Sequence, residues 1–217
     1  MRKLVLFVTL AMLSACGATT TATTTETSAA QSSPTASSAP LVLTCAAFAE
    51  ASLESLRARF GAPNVVDQKI PGPEGQDYDG TVLFPNDPAR RVEISWRDPE
   101  HHDGVASATV TGVEGVRSLW TGPHGVTLGE AMAQVEAANG RAFQASGFDW
   151  DYGGMVTDWR GGAFAPGDNC SVQVGFQPGA ETQQAEGEGA YASDSAAMKS
   201  RAPYVSLFGV SFVQQSD

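Results

Sequence analysis

From residue 41 onward the apolar positions keep a helical period, then a strand period, and then repeat that order. In SLESLRARFG, which begins at Ser52, Leu53, Leu56 and Phe60 share one helical face, and Phe48 extends that face one turn back. Gly61, with Pro63 behind it, stops this helix. TLGEAMAQVEAANG, from Thr127, repeats the theme. Thr127 and Glu130 have the spacing of a capping box, Leu128, Met132 and Val135 form the apolar face, and Gly140 is the stop. The second helix is expected to run about one turn longer than the first.

Four strand-like runs follow each helix. The first set covers residues 64–70, 81–84, 91–97 and 105–111, separated by the turn-rich stretches PGPEGQDYDG, PNDPAR and DPEHHDG. The second set covers residues 141–148, 154–159, 170–176 and 204–213. Val92, Ile94 and Trp96 alternate with charged or polar neighbours, as on an antiparallel sheet with one wet face. Cys170, Val172, Val174 and Phe176 mark the apolar side of a later strand, the side expected to meet the helices. YVSLFGVSFV is apolar on both faces and belongs inside a sheet or under a cover. Residues 181–202 have no sustained period and read as a long surface excursion with one helical turn near residues 196–199. The pattern predicts an α+β domain: two tandem helix-plus-four-strand units, residues 41–115 and 116–217, form one antiparallel sheet with the helices packed on one face.

Ahead of this domain the pattern changes twice. Arg2 and Lys3 precede an apolar run of roughly 12 residues, shorter than the roughly 20 that a membrane-spanning helix needs. Leu13-Ser14-Ala15 before Cys16 resembles the lipobox of bacterial lipoprotein signals. The resemblance implies that residues 1–15 are a signal peptide and that the Cys16 thiol receives a diacylglycerol and becomes the new N-terminus. Gly17 rather than Asp behind the cysteine implies outer-membrane sorting. Residues 16–40 comprise the lipidated cysteine and a Thr/Ser/Ala/Pro tether whose only charge is Glu26. A flexible coil of that length would hold the domain roughly 25–30 Å from the bilayer.

The net charge of −11 would fall to −13 once the signal, with Arg2 and Lys3, is removed. Such a balance argues against nucleic acid and anionic lipid as partners, and favours a domain facing away from the membrane. Cys45 and Cys170 remain, and an exported setting predicts a disulfide between them.

Three stretches, LFPNDPARRVEISWRD, LGEAMAQVEAANGRAFQASGFDWDYGG and YASDSAAMKSRAPYVSLFGVSFV, resemble an uncharacterised family of exported bacterial lipoproteins. That family carries no established activity. The repeated order of one helix and four strands is similar to the tandem architecture of beta-lactamase-inhibitor-protein-like domains, and single units of that kind occur in small outer-membrane assembly lipoproteins. This second resemblance implies a fold and transfers no function.

Candidate chemistry concentrates in GFDWDYGG and the DWRGG that follows. If the first run is extended, Phe148, Trp150 and Tyr152 share one face, and with Trp159 and Arg160 they form a candidate binding surface. Packing of the same rings beneath the second helix is the competing reading. Asp149 and Asp151 lack the further oxygen ligands calcium requires, and His101 and His102, being adjacent, point apart and chelate poorly. Neither a metal nor a cofactor is expected. No Gly-x-Ser-x-Gly elbow, Walker loop or dinucleotide fingerprint is present, and Ser195 and Lys199 are four apart rather than three. The expected protein is a non-enzymatic binding or scaffold module of the cell envelope, on the periplasmic side of the outer membrane. Its partners would be the membrane, through its lipid, and an envelope protein. The alternative is a periplasmic hydrolase acting on an envelope substrate, suggested by the compartment and the acidic, histidine-bearing loop at residues 98–104.

Overall fold

The computed structural model describes residues 40–213. Cys16 and the segments expected to be a signal peptide and a tether, up to residue 39, lie outside the described residues. In chain order the elements are β1 (Leu41–Val42), α1 (Cys45–Phe48), α2 (Leu53–Phe60), β2 (Val65–Pro71), β3 (Asp77–Leu83), β4 (Val92–Asp98), β5 (Asp103–Thr111) and β6 (Trp120–Thr121). They continue with α3 (Met132–Asn139), β7 (Gln144–Ser146), β8 (Val156–Asp158), β9 (Cys170–Gln177), β10 (Ala190–Ala192), α4 (Ala196–Ser200) and β11 (Tyr204–Phe212). The architecture is α+β, with a six-stranded antiparallel sheet ordered β2-β3-β4-β5-β11-β9. A three-stranded sheet is ordered β10-β7-β8, and β1 pairs in parallel with β6. Among the described residues no helix is long and apolar enough to cross a membrane.

The first half follows its sequence pattern. Ser52 caps α2, with its hydroxyl accepting from the Ser55 N–H at 3.2 Å and the Ser55 hydroxyl accepting from the Ser52 N–H at 2.9 Å. Gly61, at φ +85°, ends the helix. The strands from β2 to β5 form a meander. In β4, Val92, Ile94 and Trp96 are buried and Arg97 is exposed. On the open face of the sheet the Ser95 and Ser107 hydroxyls meet across β4 and β5 at 2.6 Å.

The second half departs from a copy of the first. Its helix starts at Met132, not near Thr127, so both helices have eight residues. Only the carboxylate half of the expected capping box forms, where the Thr127 N–H donates to Glu130 Oε2 at 3.0 Å. Gly129 takes φ +82°, and the segment then pairs with the start of β11: the Gly129 N–H donates to the Val205 carbonyl, and the Val205 N–H donates to that of Glu130, both at 2.8 Å. Strand-like pairing outcompetes another helical turn because Gly129 admits a conformation that side chains resist. The runs at 141–148 and 154–159 shrink to β7 and β8 and leave the main sheet for the small one. Only β9 and β11 join the sheet begun by the first half, and β11 pairs on both edges, with β5 and with β9.

The region at 181–202 is not a simple surface excursion. It supplies β10 and α4 and buries Ala185, Ser193, Met198 and Arg201. One continuous core joins Phe48, Leu56 and Val135 from the helices to Ile94, Val110, Val174, Phe208 and Val210 from the sheet. Cys45 and Cys170 form a disulfide, with Cα atoms 6.0 Å apart, that ties α1 to the edge strand β9.

Candidate functional site

The aromatic cluster divides into a buried set and a displayed set. Residues 149–153 form a turn rather than an extended strand, so the shared face expected of Phe148, Trp150 and Tyr152 does not exist. Phe148 (1 % exposed) and Trp159 (5 % exposed) belong to the core. Trp159 stacks on Phe164 with ring centroids 4.7 Å apart, tilts against Phe143 at 5.1 Å, and donates from Nε1 to the Val172 carbonyl. These two residues leave the candidate surface because both belong to the buried core, Trp159 against Phe143 and Phe164 and Phe148 against Arg201. Arg160 is exposed but lies on a separate turn, where its guanidinium approaches Asp158 at 3.5 Å and its carbonyl accepts from Arg141.

Trp150 and Tyr152 remain. Their ring centroids are 5.4 Å apart at an interplanar angle of 60°, and Tyr152 is 46 % exposed. Trp150 Nε1 donates to the Gly147 carbonyl at 2.9 Å, and the Tyr152 carbonyl accepts from Ser146 Oγ at 2.6 Å. Both residues are thus held by bonds within the turn. Gly154 closes it at φ +75°, and a Cβ there would lie 2.1 Å from the Phe176 carbonyl oxygen, so only glycine fits.

A buried arginine supports the turn from beneath. Arg201, 2 % exposed, reaches both Asp149 carboxylate oxygens from Nη2 at 3.2 and 2.9 Å and donates from Nη1 to the Thr182 carbonyl. Its guanidinium lies 5.2 Å from the centre of the Phe148 ring. The segment carrying Glu186 and Glu188 pairs alongside: the Phe148 N–H donates to the Ala185 carbonyl, the Gly187 N–H to that of Phe148, and the Gly147 N–H to that of Gly189, each at 2.8 Å. Sequence reasoning missed Arg201 and this pairing, since the partners are some 40 to 50 positions apart and no local pattern signals them.

The histidine loop is built differently from the sequence expectation. His101 Nδ1 lies 2.8 Å from Asp98 Oδ2, and this bond, helped by the His101 backbone N–H, holds the Asp98 carboxyl below its ordinary range. His102 turns the other way at φ +52°, placing Nε2 3.2 Å from Asp67 Oδ1 and its ring edge-on to Trp96. Thr81 Oγ1 donates to the same Asp67 oxygen at 2.6 Å and accepts from Trp96 Nε1 at 2.9 Å. The carboxylate stands between histidine and hydroxyl, whereas a nucleophile–base–acid relay needs the imidazole in the middle. Thr81 is also fully buried. Among the described residues no three His, Cys, Asp or Glu side chains gather in a way that could hold a metal ion.

Beside the disulfide lies an open, mainly apolar cleft of about 640 Å³ bounded by Thr44, Ala49, His124, Ala165, Val172 and Phe212. His124 sits at φ +54° with its ring 4.8 Å from that of Phe164. Nothing in the sequence pattern points to it, because four separate segments meet there.

No family model, curated protein or solved structure matches the chain.

Proposed function

We propose that the protein is a lipid-anchored cell-envelope module that binds another envelope protein through the turn carrying Trp150 and Tyr152, without catalysing a reaction. The observation that carries this reading is the pair of rings in contact: Trp150 oriented by its Nε1 bond, and Tyr152, its backbone carbonyl held by Ser146, open to solvent. Aromatic residues that are ordered before binding lose little conformational entropy on contact and are frequent anchors of interfaces. The lipobox-like segment ending at Cys16 and the polar tether behind it support anchoring at the periplasmic face of the outer membrane. The disulfide is consistent with an oxidising compartment.

A duplicated origin belongs to the same proposal. In support, α2 is followed by β2 to β5 and α3 by β7, β8 and β9, although β10 and α4 intervene before β11 and β7 and β8 lie in a separate sheet. The test is capture from envelope extract with the full chain in detergent, compared with a Trp150→Ala/Tyr152→Ala variant of unchanged melting temperature. Loss of a captured protein in the variant is the expected outcome. An unchanged set of captured proteins removes this face as the binding surface.

A further inference from the structure

The chemistry around the ring pair specifies what it would bind. From residue 142 to residue 198 the chain carries eight acidic residues (Asp149, Asp151, Asp158, Asp168, Glu181, Glu186, Glu188 and Asp194) and a single Lys or Arg, Arg160. Asp149 is engaged by Arg201 and Asp158 by Arg160. Asp151, within the turn, and Glu186 and Glu188, on the segment bonded to it, are exposed and form no ion pair or side-chain hydrogen bond among the described residues. Indole and phenol faces attract cations through their quadrupoles, most strongly for Trp. Uncompensated carboxylates around such faces raise the local concentration of cations and repel anionic groups.

We infer that the Trp150–Tyr152 turn, flanked by Asp151, Glu186 and Glu188, is a docking surface for a basic polypeptide segment, an arginine or lysine of which stacks on the rings. The inference rests on the binding-module reading above and adds the chemistry of the partner. Three features carry it beyond net charge. The Trp150 ring is fixed by its own hydrogen bond and lies against the Tyr152 ring, whose backbone is held by Ser146. Asp149, next to Trp150 in the chain, is already ion-paired from beneath by a buried arginine, so the turn stays folded without an external cation. The three free carboxylates come from two strands of chain that the backbone bonds of residues 147, 148 and 187 hold side by side.

The test is calorimetric titration of the full chain in detergent with a tetra-arginine peptide blocked at both ends. Trp150→Ala/Tyr152→Ala keeps every charge and is expected to weaken binding about tenfold. Tyr152→Phe keeps the ring face and the Trp150 Nε1 bond and is expected to stay within about threefold of the native protein. Asp151→Asn/Glu186→Gln/Glu188→Gln is expected to weaken binding and flatten its salt dependence. Failure of the native protein to bind the peptide, or equal affinity for the native protein and the alanine pair, overturns the inference. If the alanine pair melts early, equal affinities of the native protein and a Trp150→Leu/Tyr152→Leu variant overturn it in the same way. The capture experiment separates the two proposals. A partner lost with the alanine pair while peptide affinity is unchanged leaves the binding face standing and refutes its basic specificity. No change in either measurement refutes both.

Discussion

Asn139 shows how much one amide can organise. It is 2 % exposed at the last position of α3. Its Nδ2 donates to the carbonyls of Arg141 at 2.9 Å and Trp159 at 3.1 Å, and its Oδ1 accepts from the Phe164 N–H at 3.2 Å. The end of the helix, the exit of β8 and the loop that seats Phe164 are therefore joined through one side chain. Gly162 lies so close that a Cβ there would sit 2.2 Å from Asn139 Oδ1. Asn139→Ala removes all three bonds and strands buried backbone groups, so a loss of about 2–4 kcal/mol is expected, read from the urea midpoint at unchanged slope. In the sequence this residue looks like an ordinary polar position before a helix-ending glycine. Its partners two, twenty and twenty-five positions later give it its role.

Elements were legible wherever their determinants are local. Ser52, Ser55 and Gly61 lie within ten residues and set both ends of α2, and the alternation of Val92, Ile94 and Trp96 sets the faces of β4. The start of α3 was not legible, because Val205 recruits Gly129 and Glu130 from more than seventy positions away. The aromatic site was half legible for the same reason: the residue types flagged a cluster, but Phe143 and Phe164 claim Trp159, and Arg201 turns the backbone beneath Trp150. Arg201 follows the short helix α4 and supports a different element from the one it caps. Arg201→Met keeps the apolar stem and drops the contacts to Asp149 and Thr182. The amides of Phe148 and Gly187 should then exchange hydrogen at least about tenfold faster, with a stability loss of about 1–3 kcal/mol. Unaltered exchange at those amides would mean that the backbone pairing alone holds the turn.

For the whole molecule the main covalent constraint is Cys45–Cys170, which closes 125 residues of sequence separation. By loop-closure entropy a bridge of that span contributes about 5 kcal/mol. Cys45→Ala/Cys170→Ala, or reduction, should lower the melting temperature of a domain this size by roughly 10–20 °C in calorimetry. A small drop would indicate that the unfolded chain keeps its ends together without the bridge. The position of β11 between β5 and β9 has a separate effect, on the timing of assembly. A polypeptide emerging from a ribosome or a translocation pore presents β5 long before, and β9 shortly before, the strand that belongs between them, and each carries an open edge in the meantime. A product cut or stalled ahead of Tyr204 would keep both edges exposed, making it a substrate for chaperones and proteases and a seed for self-association.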